Sequence, residues 1–428
     1  MTTILDRGIA PPVTIFSDIA LSDERVEHLD NGAVFHTINY GEQPLSRLSL
    51  MWQGGRLDTQ YKSLPLLLTE AIRENSTNVS GAEIADILDF NGARLSSRCA
   101  DHHSGIELIA LNSRLGALLP LLSEIISNPN FDEQTVEMIT RRAAARRAVQ
   151  QAKVAYAASM RVVQAIAGSK HPVAVAETPE IIKSISPNHL RQAYSDIIAP
   201  GRLHVYLAGK FDDDVIGLVR NFILNLPARS SDKSIINVVP YQAEAPGRFA
   251  ERRSDSLQSA VSMALPTISR NHPDYIDLRM SVIALGGYFS SRLMSNIREE
   301  KGLTYGIGSA LIGSLEGAYM TIDAQCDAAY VEQVIEETCN EIKGLSSNPL
   351  GNEELNRVKM HAWSMLANAA DSSFAMSDYY MTRLLVATPD DYFTKQLLAI
   401  RQLTSERIAE ISAQYLNPEN LRIGIVGA

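Results

Sequence analysis

An internal repeat constrains the fold of this chain more than any other feature of its sequence. Residues 198–209 (IAPGRLHVYLAG) are matched without a gap by residues 416–427 (LNPENLRIGIVG), 218 positions later. A shorter match, Ser-Asn-Pro at 127–129 and again at 347–349, ends an amphipathic helical pattern each time. Two matches in the same order indicate duplication, and a period this long is not that of a solenoid. We therefore predict two homologous domains, each built from helices and strands.

The segments between these matches alternate between the two periodicities of regular secondary structure. Short apolar or period-two runs predict strands at residues 33–38, 48–53, 94–97, 105–111 and 203–208. Amphipathic runs predict helices at residues 63–75, 81–90, 113–127, 132–153 and 187–198. The second half repeats this order of elements.

The domain boundaries follow from composition. We expect an N-terminal arm at residues 1–20, a first domain at residues 21–225, a linker at residues 226–247 and a second domain at residues 248–428. The linker, LPARSSDKSIINVVPYQAEAPG, is polar and interrupted by proline, which is typical of a connection between domains.

Composition and charge exclude several classes of function. The 428 residues are 45% hydrophobic and 21% charged, an ordinary globular composition. The chain has 39 basic and 49 acidic residues, a net charge of -10, and no long basic run, which argues against nucleic acid or an anionic membrane as the main partner. Its three cysteines have no C-x-x-C spacing, so neither a thiolate zinc site nor a disulfide framework is expected.

Membrane-spanning and targeting segments are not expected. No apolar run approaches the roughly 18 residues of a membrane span. The first residues, MTTILDRGIAPPVTIF, lack the basic and apolar regions of a signal peptide. The sequence as written is therefore expected in the cytoplasm, and in the periplasm if a signal peptide has been removed.

The most informative chemistry lies in residues 285–312, LGGYFSSRLMSNIREEKGLTYGIGSALI. Apolar spacing in residues 290–298 predicts a helix, and period two from residue 303 predicts a strand with Tyr305 and Ile307 on one face. Arg298 and Tyr305 then lie on either side of a helix-to-strand turn, close enough to converge. A guanidinium and a phenol both donate hydrogen bonds, so the pair suits gripping a peptide carbonyl or carboxylate. A surface arginine and a half-buried strand tyrosine are the plainer alternative.

The repeat offers an internal comparison for this pair. Aligning Asn91-Gly92 with Lys301-Gly302, at an offset of 210, places Leu88 opposite Arg298 and Leu95 opposite Tyr305. Two apolar residues at those positions indicate that the scaffold does not need the polar pair. The comparison therefore favours a functional role for Arg298 and Tyr305.

The string S-R-L-x-x-x-I-R-E-x-K-G-L-x-Y at residues 291–305 resembles the Arg/Tyr signature of the insulinase/pitrilysin-type zinc peptidases, the inverzincins, including the processing peptidases. The layout from about residue 20 to 428 also resembles that family. The resemblance implies an α+β (α/β) fold of two homologous domains, each a mostly antiparallel sheet packed with helices, forming half of a clamshell chamber. It also implies that Arg298 and Tyr305 hold substrate backbone near a zinc ion carried by the other half or subunit.

The zinc motif of that family is degenerate in this chain. Inverted zincins bind metal through H-x-x-E-H on the first helix of the N-terminal half, plus a distant glutamate. By position along the chain, Leu67 and Ala71 replace the two histidines, and Glu70 stands at the general-base position. Arg146 or a neighbour stands where the third ligand is expected. The resemblance thus implies no metal in this chain, with Glu70 a solvated helix carboxylate.

Other catalytic motifs are missing from the sequence. His102 and His103 are adjacent, so in an extended chain they face opposite ways and cannot chelate one ion together. The chain has neither a G-x-S-x-G nucleophile turn nor a phosphate loop of the G-x-x-x-x-G-K-[ST] type.

These observations predict the non-catalytic subunit of a heterodimeric zinc metallopeptidase. The chain would be inactive alone, and it would complete the chamber and bind an unfolded peptide through Arg298 and Tyr305. A homologous partner bearing H-x-x-E-H would supply the zinc. Two alternatives stay open: a catalytically silent scaffold or assembly protein of the same fold, similar to the core proteins of respiratory complexes, and a stand-alone peptide-binding homodimer. In isolation the chain could form a homodimer.

Overall fold

The structure, a computed structural model, describes residue 8 and residues 18–198, 202–226, 236–254 and 256–427. Most of the predicted N-terminal arm therefore lies outside the described residues, as do residues 227–235 of the predicted linker. The described residues form two β-sheets, each packed with helices, so the predicted α+β fold is confirmed. The exact domain boundaries stay predictions.

The N-terminal sheet has six strands. They are β1 (Arg25–His28), β2 (Val34–Asn39), β3 (Leu45–Gln53), β4 (Arg94–Cys99), β5 (His103–Leu111) and β6 (Leu203–Gly209). Their order is β1-β2-β6-β3-β5-β4, and neighbours run antiparallel except β2 and β6. In β3, Leu48, Leu50 and Trp52 alternate with Ser49 and Met51, and all five side chains are buried. Since successive side chains point to opposite faces, both faces of this sheet must be covered.

The C-terminal sheet has five strands and repeats the same order. They are β7 (Gly247–Arg252), β8 (Ser259–Thr267), β9 (Thr304–Gly313), β10 (Ala318–Cys326) and β11 (Arg422–Gly427). The order is β7-β11-β8-β10-β9, with only β7 and β11 parallel. Apart from β1, each strand of the first sheet thus has a counterpart in the second, including the parallel pair. The sheet topology agrees with the duplication predicted from the sequence.

Helices fill the connections in both halves. In the first half they are α1 (Leu64–Glu74), α2 (Gly81–Phe90), α3 (Asn112–Ser127), α4 (Glu133–Ala152), α5 (Val154–Ala167), α6 (Pro179–Lys183), α7 (Pro187–Ile197) and α8 (Asp213–Leu224). In the second half they are α9 (Tyr275–Val282), α10 (Val331–Ser347), α11 (Asn352–Ala369), α12 (Ser373–Leu385), α13 (Tyr392–Gln402) and α14 (Ser405–Tyr415). Two π-helical segments, Ile283–Gly287 and Met294–Glu300, precede β9. Local signals set the starts: Ser80 and Glu83 form a capping box at α2, and Asp132 caps α4.

One face of the N-terminal sheet is covered by a helix from the other half of the chain. Met376, Tyr380 and Met381 of α12 pack in one buried cluster with Met51 and Tyr206 of the sheet. This helix is also fixed by charge. Buried Arg47 of β3 donates to the carbonyl of Phe374 at 2.7 Å and pairs with Asp378 at 3.1 Å.

The C-terminal sheet is covered in the same way by α5 of the first half. Ala158 packs with Ala260 and Val426, and Val162 packs with Ala264. Helix α12 begins 219 and ends 218 positions after α5, counting from 154 to 373 and from 167 to 385. These offsets match the repeat, so the two halves exchange equivalent helices.

A buried charged triplet also joins the halves. His102, 3% exposed, lies between β4 and β5, and its Nδ1 is 2.8 Å from a carboxylate oxygen of Asp58. Its Nε2 is 2.5 Å from Glu316, in the turn between β9 and β10. Burial lowers the pKa of His102, but the hydrogen bonds to both carboxylates outweigh it and raise the pKa to about 10. The imidazole is therefore a cation that links the two sheets at neutral pH.

We expect His102→Gln to lower the free energy of unfolding at pH 7 by about 3–5 kcal/mol, because it leaves Asp58 and Glu316 buried without a cation. The folded-state pKa of His102 is near 10, above the ordinary value of about 6.5. The stabilisation that protonated His102 gives the wild-type chain is therefore complete below pH 6.5 and declines as the pH rises towards 10. Urea denaturation at pH 6, 8 and 10 measures both effects. Exposed His272→Gln is the matched control, and equal losses for the two variants would contradict the expectation.

Candidate functional site

The Arg/Tyr segment forms a helix-to-strand corner at the edge of the C-terminal sheet. Leu293 and Ile297 are fully buried, which anchors the helical part against the core. Gly302 has φ +63, a left-handed conformation that favours glycine, and it turns the chain into β9. Lys301 pairs with Glu337 of α10 at 2.5 Å. The corner is therefore held by both packing and charge.

Arg298 contacts the backbone of Tyr305 at this corner, and the convergence of its guanidinium with the Tyr305 phenol stays a prediction. The Nε atom of Arg298 donates a hydrogen bond to the backbone carbonyl of Tyr305 at 3.1 Å. The guanidinium also lies over the ring of Phe289, 4.9 Å from its centroid. These two contacts orient the arginine while its side chain stays 36% exposed. Sequence reasoning missed Phe289, whose aromatic ring beside the S-R-L string was the available signal.

Tyr305 projects into solvent, and its predicted strand face is wrong. The tyrosine is 90% exposed, whereas Ile307 is buried. Thr304 pairs with Cys326 and Ile307 pairs with Ala324, so two residues, Tyr305 and Gly306, oppose a single residue of β10. This β-bulge breaks the alternation and turns Tyr305 outwards.

Space around Tyr305 is open on one side and closed on the other. A side chain built at Gly306 would meet nothing within 4 Å. Tyr305 also borders a cavity of about 390 Å³ beneath α5, with Asp323 on its wall. In contrast, a Cβ at Gly286 would lie 2.6 Å from the amide nitrogen and 2.8 Å from the hydroxyl of Ser309, so the π-helical segment packs directly on the face of β9 to which Ser309 points.

The register of the two sheets corrects the internal comparison made from sequence. Leu207 and Ile425 are equivalent at the repeat offset of 218, and they pair with Leu48 and Val261. In the first sheet, Leu48 pairs with Leu108, which pairs with Leu95. In the second sheet, Val261 pairs with Ala324, which pairs with Ile307. Leu95 is thus the counterpart of Ile307 and not of Tyr305. The bulge lies in a stretch that is two residues longer in the second half, counting from the left-handed glycine: Gly302 to Ile307 against Gly92 to Leu95.

The residues assigned from the sequence to a degenerate zinc motif lie on α1, in the N-terminal half. Leu67 and Ala71 are fully buried among apolar side chains. Glu70 accepts two hydrogen bonds from Arg146 of α4, at 3.0 and 3.3 Å. Two apolar side chains and an ion-paired carboxylate do not fit a zinc ion, which needs nitrogen, sulfur or carboxylate ligands. Glu70 is therefore ion-paired rather than freely solvated, and the candidate third-ligand position supplies its cation.

The other titratable residues are organised differently. His102 and His103 face opposite ways, as predicted, with His102 held by Asp58 and Glu316. That triplet was missed from the sequence because its members are up to 258 positions apart, from Asp58 to Glu316. In the described part of the chain, no three His, Cys, Asp or Glu side chains lie together as a candidate metal site. The expectation that this chain holds no metal stays a prediction.

Comparisons with known proteins agree with this geometry. Residues 184–361 match the domain family described as Peptidase M16 inactive domain. A Helicobacter pylori protein named as the non-peptidase homolog YmxG is 23% identical over 271 residues, covering 62% of this chain and 61% of the relative. A peptidase M16 inactive domain from Pseudomonas fluorescens has a TM-score of 0.82 at 20% identity, covering 95% of this chain and 98% of that chain. The periplasmic protease PqqL from Escherichia coli has a TM-score of 0.78 at 16% identity, covering 99% of this chain but 48% of that one.

Two repeated halves with exchanged helices define the class of fold, which is similar to that of the M16 peptidases and their inactive domains. Residues 184–361 match the M16 inactive domain in sequence, and the fold is shared with solved M16-type proteins, so the resemblance inferred from the Arg/Tyr string is confirmed. The chain spans about 61% of the YmxG relative and about half of PqqL.

Within the residues that the structure describes, no helix is both long and apolar enough to cross a bilayer. The compartment stays a prediction.

We expect Ala71→His to lower the free energy of unfolding by about 1–3 kcal/mol, because an imidazole does not fit the packed space at this fully buried position. Arg146→Ala should cost less than about 1 kcal/mol, since its ion pair with Glu70 is largely exposed. Urea denaturation of both variants measures the difference. If Ala71→His instead left the free energy of unfolding unchanged and zinc then raised it, position 71 would still be able to bind a metal.

Proposed function

We propose that this chain is the non-catalytic subunit of a heterodimeric zinc metallopeptidase. It completes one half of a clamshell chamber and binds an unfolded peptide through Arg298 and Tyr305. A homologous partner bearing H-x-x-E-H supplies the zinc. The single observation that carries the proposal is the corner itself, where an exposed tyrosine and an oriented arginine share one hydrogen bond.

The corner has the properties of a binding site rather than of a structural support. Tyr305 contributes little to burial, since 90% of it is exposed on a bulge that the equivalent strand lacks. A bulge at a sheet edge re-aims a side chain, and here it aims a phenol away from the core. The fold gains no packing from this arrangement, so a role in binding accounts for it better.

The donors available at the corner determine what it can hold. Arg298 uses Nε for the Tyr305 carbonyl, which leaves its terminal nitrogens for a ligand oxygen, with only a distant contact of 3.8 Å to Glu299. Tyr305 adds one hydroxyl donor, and Gly306 beside it leaves room for another backbone. Peptide carbonyls and a C-terminal carboxylate are the matching acceptors. Main-chain recognition of this kind tolerates many side-chain sequences, so we infer unfolded peptides as the substrate class.

The partner contributes what this chain lacks. We assign the pairing of an added peptide strand to a sheet edge of the partner. The partner's zinc would activate water and polarise the scissile carbonyl. In this chain, Arg298 would fix the peptide and the Tyr305 hydroxyl would donate to a carbonyl. The coverage of PqqL, 99% of this chain against 48% of that one, supports a longer functional unit assembled from two such lengths.

A catalytically silent scaffold is the second candidate. Two observations favour it. The Helicobacter pylori relative is named a non-peptidase homolog, and Arg146 forms an ion pair with Glu70 at the position expected for the general base. A scaffold would need the fold and the exchanged helices but not the exposed tyrosine. The two candidates therefore differ in whether the corner matters to turnover.

We expect the purified chain alone neither to bind zinc stoichiometrically nor to cleave an unfolded peptide. Cleavage should appear when a family member bearing H-x-x-E-H is added, and it should be lost with a chelator. Peptide cleavage by mass spectrometry and zinc content by elemental analysis measure this. Zinc-dependent cleavage by this chain alone would overturn the proposal, and a stable but inactive mixed complex would favour the scaffold.

In the active mixed complex, Arg298→Ala should lower kcat/KM by roughly 10- to 100-fold, as expected for loss of hydrogen bonds from a charged group. Tyr305→Phe should lower it by about fivefold to tenfold. Neither change should lower Tm much, because both side chains are partly or fully exposed. Arg357→Ala and Tyr330→Phe, at other exposed positions, are the matched controls. Unchanged turnover in both site variants would leave Arg298 and Tyr305 as ordinary surface residues.

A further inference from the structure

A second cavity lies between the two halves of the chain, away from the Arg/Tyr corner. It has a volume of about 530 Å³ and is bounded by β3, β4 and β5 on one side and by α12 on the other. Volumes of this size are typical of small-molecule and side-chain sites. Its walls are mainly apolar and rich in sulfur, with Met51, Met381, Leu385 and Cys99.

One polar side chain inside this cavity is left without a partner. His103 lines the cavity and is only 6% exposed, yet its Nδ1 makes no hydrogen bond to any described residue. A buried polar atom without a partner costs free energy, so such atoms call for an explanation. Burial, with the positive charge of neighbouring His102, lowers the pKa of His103 to about 4, so the ring is neutral at physiological pH. A neutral imidazole can accept one hydrogen bond and donate another.

The fold does not require a histidine at this place. The equivalent position in the C-terminal sheet follows from strand pairing, since Gln53 pairs with His103 and its counterpart Pro266 pairs with Tyr319. The phenol of Tyr319 therefore stands where His103 stands in the first half. By the same equivalence Met51 corresponds to Ala264, which packs against Val162 of α5 as Met51 packs against Met381 of α12. The histidine and the two methionines are thus properties of this cavity and not of the repeat.

The lining selects among ligand chemistries. An isolated ammonium or carboxylate would lose its hydration among thioether and aliphatic groups and would find a neutral ring rather than a counter-ion. The charged residues at the rim, Arg98 and Asp378, already pair with each other at 3.3 Å. An aliphatic group would leave His103 unpaired. An aromatic ring packs favourably against methionine sulfur, and a hydroxyl on that ring can bond an imidazole nitrogen.

We propose that this cavity binds a phenol group, with the ring packed against Met51 and Met381 and the hydroxyl hydrogen-bonded to His103. A tyrosine side chain of a bound peptide and a free phenolic small molecule share this chemistry. The site needs no zinc-bearing partner, so it stands apart from the function proposed above.

Titration of the full chain labelled with ¹³C at its methionine methyl groups tests the proposal. The probes are N-acetyl-tyrosinamide, N-acetyl-phenylalaninamide, p-cresol and the capped peptides Ala-Tyr-Ala and Ala-Phe-Ala. We expect saturable shifts of the Met51 and Met381 signals, assigned through Met51→Leu and Met381→Leu, with each tyrosine compound binding about tenfold more tightly than its phenylalanine counterpart. Tighter binding of the tyrosine peptide than of p-cresol would identify a peptide side chain as the ligand, and the reverse order a free phenol.

The variant His103→Leu should remove the preference for tyrosine over phenylalanine, whereas His361→Leu, outside the cavity, should keep it. The comparison of probes on the wild-type chain does not depend on the variants folding. The absence of saturable shifts at Met51 and Met381, or equal affinities for the tyrosine and phenylalanine probes, would overturn the proposal.

Discussion

The structure depends on the burial of the second face of each β-sheet. Each half can cover one face with its own helices, but β3 is buried on both sides, and so is the equivalent strand β8 of the second sheet. The second cover is a helix from the opposite half, α12 over the first sheet and α5 over the second. Because each half supplies what the other lacks, neither sheet is complete alone. The hydrophobic effect thereby ties two repeats into one unit.

Ion pairs and hydrogen bonds fix the relative position of the two halves in addition to this apolar packing. Arg47 holds the first turns of α12 by a carbonyl and a carboxylate, and His102 joins Asp58 of one half to Glu316 of the other. Burying a charge is costly unless it is paired, so these contacts allow only a narrow range of relative positions for the two sheets. The β9–β10 turn that carries Glu316 belongs to the same hairpin as Tyr305. The buried charged triplet of His102, Asp58 and Glu316 therefore supports the hairpin that presents the exposed tyrosine.

Much of this arrangement could be predicted from sequence because it depends on local periodicity or on direct repetition. The predicted helix at residues 81–90 is α2 without change, and the strand at residues 203–208 is β6 within one residue. The contact between Arg298 and the backbone of Tyr305 was predictable because only a glycine turn separates helix from strand. The bulge that exposes Tyr305 was not, since it is defined by pairing with β10, about twenty positions away. The helix exchange and the contact between His102 and Glu316 could not be predicted for the same reason, because they join residues far apart in the chain.

The two halves of the repeat have diverged in opposite ways at their functional positions. In the first half, the helix that would carry metal has buried apolar side chains at two ligand positions and a carboxylate closed off by Arg146. In the second half, a bulge without counterpart in the first carries an exposed phenol, and an aromatic ring orients the neighbouring guanidinium. If the chain had only lost function, we would expect an uninterrupted strand at the corner and a surface arginine without orienting contacts. The exposed phenol and the ion-paired Glu70 thus lie in different halves of the repeat, and this difference supports the proposal that the chain holds a peptide and leaves its cleavage to a partner.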